Sequence, residues 1–278
     1  MTRCMIDRKG IGNRRDGFGG TGMELTFNRQ LLEQYHSGTQ IARVLTEDWM
    51  SRNMFCPRCG HERLAHFEAN RPVADFYCPH CHSEYELKSK NGRMGKKVND
   101  GAYETMIARI TGNNNPDFFF MGYSKEEWQV NNLLFVPRHF FVPEIIEKRK
   151  PLAETARRAG WVGCNILIDQ IPDQGRIAII EDGNEVDPSA VVEKVMRSSQ
   201  LAVKNIQSRS WLMDILHCVN RIPSQQFTLA DMYDFADELA LKYPQNHNIK
   251  PKIRQQLQFL RDKGIIAFLG SGHYQKLV

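Results

Sequence analysis

Four cysteines constrain this chain more than any other feature. Cys56, Cys59, Cys78 and Cys81 are spaced Cys-x2-Cys-x18-Cys-x2-Cys. This is the spacing of a zinc knuckle, in which each pair bends around one side of the ion. Four thiolates close a tetrahedral shell and leave no open position, so zinc here is expected to hold the fold and not to react. Cys4, Cys164 and Cys218 are scattered. The start, MTRCMIDRKG, has no signal-peptide core, and no apolar run approaches the roughly 20 residues that span a bilayer. A cytoplasmic, reducing setting is therefore expected, in which the quartet binds metal and does not form disulfides. His61, His66, His80 and His82 lie nearby, are redundant as ligands, and read as surface histidines.

The residues flanking the second pair carry a different chemistry. Val73–Cys78 and Tyr85–Lys90 read as strands, with the knuckle as the turn between them. Alternate residues of a strand share a face, so Glu86 and Lys88 point one way while Tyr85 and Leu87 point into the core. A hairpin clamped by zinc can set Asp75 beside Glu86. Two close carboxylates suit a hard divalent cation such as Mg2+, which takes oxygen ligands and keeps several waters. Such an ion lowers the pKa of a bound water and polarises a phosphate. Lys88 can orient the attacking water and offset charge in the transition state. Asp…Glu-x-Lys is thus a candidate phosphodiesterase centre, although a solvated strand face also reads Glu-x-Lys.

The 278 residues, 41% apolar and 25% charged, suit a globular protein of one large domain or two. Residues 28 to 51 read as helix, interrupted at Ser37-Gly38. Asp100 is placed to cap a helix that runs to Ile110 and stops at Gly112. DFFFMGY, NNLLFVP and GRIAIIEDG read as buried strands, and Glu154–Ala159 as helix. Strands alternating with helices predict an α/β (α+β) unit with a mixed central sheet over residues 23–190. Further on, Trp211, Leu212, Ile215, Leu216 and Val219 mark an amphipathic helix. Thr228 caps a second helix, and Pro251 opens a third with Ile253, Leu257 and Leu260 on its core face. Gly264 ends it, and IIAFLGSGHYQKL reads as a hairpin. Three helices and a hairpin predict a winged helix over residues 191–278, with a generic helical cap as the alternative.

The net charge of +5 is a modest excess. Residues 1–22 hold five Lys/Arg against two Asp/Glu, a net +3 that leaves +2 for the other 256 residues. This Gly- and Arg-rich stretch has no apolar period. It reads as a disordered basic extension, with Met23 opening the fold; an arm that binds nucleic acid is the alternative.

The motifs VLTEDW, NRPVADFYC, YELKSK, NDGAY, ARRAGW and IRQQLQFLRDKGII stand in order along the chain. Over residues 23–278 the sequence resembles the methyl-directed type II restriction endonucleases of the PD-(D/E)XK nuclease family. The resemblance implies a nuclease domain with an embedded zinc site, followed by a winged helix. It implies Mg2+-dependent cleavage of double-stranded DNA at GATC, where the adenine carries an N6-methyl group. Carried onto this sequence, Asp75, Glu86 and Lys88 are the catalytic set, with Asp75 and Glu86 on Mg2+. Cys56, Cys59, Cys78 and Cys81 hold Zn2+. A monomer with no membrane partner is expected. Pro72 stands three residues before Asp75, not adjacent as in the general nuclease motif, so the backbone there is open to differ.

A buried methyl group is worth only roughly 0.8 kcal/mol, about a fourfold preference. A nuclease that must spare unmethylated DNA needs more, either a pocket poorly filled without the methyl or two successive readings of the site. Two readers present themselves. ARRAGW puts Arg157 and Arg158 beside Trp161, arginines for phosphate or guanine and an indole to wall a methyl pocket. Opposite the core face of the third helix lie Arg254, Gln255 and Gln258, with Lys252 on the flank. Residues 250–263 hold five Lys/Arg and one Asp, a net +4 suited to phosphate. Arg93, Lys96 and Lys97, after the catalytic strand, are expected on the DNA backbone. Core packing of Trp161 and solvated charge elsewhere are the plain alternatives. A non-cleaving zinc and winged-helix regulator, or a repair or junction nuclease on the same fold, are the competing functions.

Overall fold

The computed structural model describes residues 22–68 and 74–277. Residues 1–21 of the expected N-terminal extension, and Pro72, lie outside them. In chain order, α1 (Gly38–Asn53) is followed by β1 (Ala65–His66), β2 (Phe76–Tyr77), β3 (Glu84–Asn91), β4 (Lys97–Ala102) and α2 (Tyr103–Thr111). Then come β5 (Asp117–Ser124), β6 (Gln129–Val136), β7 (Ile146–Lys148), β8 (Gly163–Leu167), β9 (Ile177–Glu181), β10 (Asn184–Glu185) and α3 (Pro188–Ser199). The chain ends with α4 (Ile206–Arg221), β11 (Gln226–Thr228), α5 (Leu229–Tyr233), α6 (Ala236–Lys242), α7 (Ile249–Asp262), β12 (Ile266–Gly270) and β13 (His273–Lys276).

The central sheet has the order β1-β2-β3-β5-β6-β9-β10. β3 and β5 run parallel and the other neighbours antiparallel, so the sheet is mixed as expected. The β3–β5 crossover carries β4 and α2, and β4 joins β8 and β7 in a second sheet of order β4-β8-β7. The run DFFFMGY is apolar throughout because β5 is covered on both faces. Phe118 and Phe120 enter a core shared with α2, the second sheet and α4. Phe119 and Met121 enter another with Trp49 and Met50 of α1 and Val191 and Val195 of α3. Each such side chain, once buried, contributes roughly 1.5–3 kcal/mol.

Local readings depart from the structure at instructive places. The helix expected from residue 28 is a 3-10 turn, Arg29–Gln34, and then α1 beyond Ser37. Glu154–Ala159 is not helical but a series of turns. Gly160 N–H donates to Leu152 O (3.0 Å) and Leu152 N–H to Trp161 O (2.9 Å), so the segment closes on itself. Asp100 caps nothing: it lies inside β4, and α2 starts after Ala102 without a side-chain cap. Val191 and Val195 of α3 pack in the same core as β5 and α1.

Helices α4 to α7 and a sheet of order β11-β13-β12 form the winged helix. Thr228 and Asp231 make a reciprocal capping box at α5. Ile253, Leu257 and Leu260 of α7 are fully buried. Pro251 sits in the first turn of α7, where a missing N–H costs nothing. Gly264, at φ +68°, turns the chain out of α7 toward the wing. The two units share one core: buried Arg209 of α4 donates to Phe141 O (3.2 Å) and Val203 O (3.0 Å).

Candidate active site and metal knuckle

The knuckle is built from two backbone turns. Cys56 N–H donates to His61 O and Gly60 N–H to Cys56 O; Cys78 N–H donates to Ser83 O and His82 N–H to Cys78 O. These turns bring the four sulfurs within 4.8 Å of one another, with Cys56–Cys81 and Cys59–Cys78 each at 3.6 Å. Ligands about 2.3 Å from a tetrahedral zinc stand roughly 3.8 Å apart, so the thiolates fit such an ion. The Tyr85 hydroxyl lies 3.0 Å from Cys56 Sγ and ties the knuckle to β3. Arg58, between the first two cysteines, pairs with the buried Asp117 at the start of β5, Nη2 to Oδ1 at 2.7 Å. The quartet can hold a metal such as zinc.

One step from this clamp lies a cluster of acids around a lysine. Tyr85 is fully buried and Leu87 packs in the same core, which leaves Glu86 and Lys88 on the opposite face of β3. β2 pairs with β3 at Phe76↔Tyr85, so the next residue outward, Asp75, comes level with Glu86. Its carboxylate is fixed: Leu87 N–H donates to Asp75 Oδ2 at 2.7 Å, and Asp75 N–H donates to Tyr85 O at 2.9 Å. Lys88 Nζ lies 2.5 Å from Glu86 Oε1 and also pairs with Asp100 Oδ1. Burial pushes the Glu86 carboxyl up to about 7; Lys88 opposes this, while Asp100 and Asp75 reinforce it. Burial pulls Lys88 down, but Glu86 and Asp100 on either side outweigh it and hold the ammonium protonated.

Two acids here were not assigned to the site from sequence. Asp100 pairs with Lys88 from the second sheet, and its cap-like position before a helix concealed that role. Glu47 of α1 pairs with His66 Nε2 at 3.4 Å, and burial raises its pKa, with Asp75 adding to the rise. It stands in the VLTEDW motif, which gives it no place in this cluster by itself; the packing of α1 against β1 brings it there.

The expected DNA contacts are dispersed. Arg157 and Arg158 are exposed in the turns between β7 and β8, with the Arg158 guanidinium 4.7 Å from the half-buried Trp161 ring. Arg93 is paired with Asp182 (3.2 Å) and Lys97 with Glu147 (3.1 Å), so these two face different neighbours; Lys96 is exposed. On α7, Arg254, Gln255 and Gln258 are exposed, and Lys252 donates to Gln255 Oε1 at 2.7 Å.

A mixed sheet that presents acids and a lysine beside a cysteine cluster able to hold a metal, packed on a winged helix, fits one class of protein, nucleases that act on DNA, and the family match supports that class. The chain matches the Dam-replacing family over residues 23–204 and the Dam-replacing HTH domain over residues 207–276. It belongs to that family, as a DpnI-like, methyl-directed restriction enzyme. Among the described residues no helix is long and apolar enough to cross a membrane.

Proposed function

We propose that this enzyme, a cytoplasmic monomer, cleaves both DNA strands at GATC when the adenine carries an N6-methyl group. Asp75, Glu86 and Lys88 form its catalytic set on a unit spanning about residues 23–190. The observation that carries the reading is the Asp75 carboxylate, held by the Leu87 amide between the positions of Glu86 and Lys88. Asp75 and Glu86 would hold Mg2+, whose oxygen-ligand preference fits this donor set. When bound, Mg2+ supplies a Lewis acid for the scissile phosphate and for a water of its shell. Lys88 is a cation and not a general base. Its Nζ donates to the attacking water or to a phosphate oxygen as charge develops there. The Cys quartet takes zinc and keeps β2 against β3.

Trp161, with Arg157 and Arg158, reads the methylated base from the nuclease unit. Arg254, Gln255 and Gln258 of α7, flanked by Lys252, read it from the winged helix. Arg93, Lys96 and Lys97 contact backbone phosphate. Two readings multiply, which lifts discrimination above the fourfold of one buried methyl group. Plasmids from an adenine-methylating and a non-methylating host, incubated with the protein and Mg2+, test this. Cleavage of the methylated plasmid alone is expected. Equal cleavage of both contradicts the specificity, and cleavage of neither contradicts the activity.

A further inference from the structure

Lys88 is held from two directions. Glu86 lies on its own strand, whereas Asp100 reaches it from β4, a strand of the second sheet. The Asp100 side chain is only 6% exposed, so its carboxylate is fixed by the strand that carries it. β4 pairs with β8, with Asp100 opposite Cys164; the register then shifts across Gly101 so that Ala102 meets Gly163. Tyr103 N–H donates to Val162 O at 3.1 Å and continues the pairing. Trp161 rests on the first residue of β8: a Cβ added to Gly163 would stand 2.8 Å from the indole. The Trp161 indole is therefore seated one register step from the carboxylate that grips Lys88.

We propose that Asp100 is a positioning residue that ties Lys88 to the strand pair on which Trp161 rests, so that methyl recognition is expressed in turnover as well as in binding. The inference rests on the nuclease reading above and deepens it. A displaced indole shifts β8, β8 carries β4, and Asp100 moves Nζ relative to the phosphate. The pair is largely shielded from water, with the Lys88 and Asp100 side chains 19% and 6% exposed, and attraction between charges grows as water is excluded. If Asp100 serves only to neutralise Lys88, its loss slows cleavage of every duplex equally.

The test is single-turnover cleavage of GATC duplexes with and without N6-methyladenine by wild type, Asp100→Asn and Asp100→Glu. Duplex affinity is measured separately by fluorescence anisotropy, with Ca2+ in place of Mg2+. Asp100→Asn is expected to keep Kd within about twofold, to slow the methylated duplex, and to narrow the methylated-to-unmethylated rate ratio by about fivefold or more. Asp100→Glu keeps the charge but lengthens the tether, so the ratio is expected to stay narrowed even where the rate recovers. This variant also decides the matter if Asp100→Asn fails to fold. A ratio equal to wild type in the folded variants, or a rate loss matched by lost affinity, overturns the proposal. Wild-type protein that cuts neither duplex overturns the nuclease reading itself, a distinguishable failure.

Discussion

The Leu87 amide donates to Asp75 Oδ2 at 2.7 Å, and Leu87 is the residue between Glu86 and Lys88. One backbone N–H thus orients the first acid relative to the second acid and the lysine. An amide oxygen can accept the same bond, so Asp75→Asn is expected to keep the fold and remove the charge. Cleavage should fall by about a thousandfold, while the melting temperature stays within about 2 °C. Parallel rate and calorimetric measurements check this; an active variant contradicts the role.

Zinc should be stoichiometric and structural. Elemental analysis of the purified protein is expected to give one zinc per chain. Cys56→Ser, at a fully buried cysteine of the quartet, should lose the ion and melt at least about 10 °C lower. Soluble Cys56→Ser protein with wild-type melting contradicts the assignment.

The Arg58–Asp117 pair anchors the knuckle to β5, and Asp117 Oδ1 also accepts from Arg138 N–H at 2.7 Å. Removal of the guanidinium strands a buried carboxylate. Arg58→Ala is expected to cost about 3–5 kcal/mol in denaturant unfolding, whereas replacing both partners with apolar residues costs less. Equal losses in the two experiments contradict this account of the pair.

The cysteine spacing and the alternation Tyr85-Glu86-Leu87-Lys88 were legible because each depends on local chain geometry alone: a knuckle bends over a few residues, and a strand repeats every two. The winged helix was legible for the same reason, since capping and apolar spacing are local at Thr228 and along α7. Asp100 misled because an acid three residues before a helix has a cap's local pattern. Its true partner, Lys88, lies on another strand and is visible only once the sheets pack. The stretch Glu154–Ala159 misled because its Ala and Arg favour helix, while the loop closure from Leu152 to Trp161 overrides that preference.

His139 gives the protein a pH dependence of stability. Burial lowers its pKa to about 4, assisted by Arg58, and its Nε2 lies 2.9 Å from Ser198 O. In the unfolded chain the imidazole binds a proton near pH 6.5. Between about pH 4 and 6.5 the unfolded state therefore holds more protons, and stability rises with pH across that window. The contribution is complete above about 6.5 and lost as pH falls toward 4. Unfolding free energies from urea titrations at several pH values should show this slope, flattened in His139→Gln. An unchanged slope contradicts a neutral buried imidazole.

The account rests most on methyl-dependent, Mg2+-dependent hydrolysis at the Asp75–Glu86–Lys88 cluster. The direct measurement is the cleavage rate of one GATC duplex, with and without N6-methyladenine, by wild type and Lys88→Ala at saturating enzyme and fixed Mg2+. Wild type is expected to cut the methylated duplex at least about a hundredfold faster than the unmethylated one, and Lys88→Ala to cut neither at a comparable rate. Wild-type rates that are equal on the two duplexes, or a Lys88→Ala variant as fast as wild type, would contradict it.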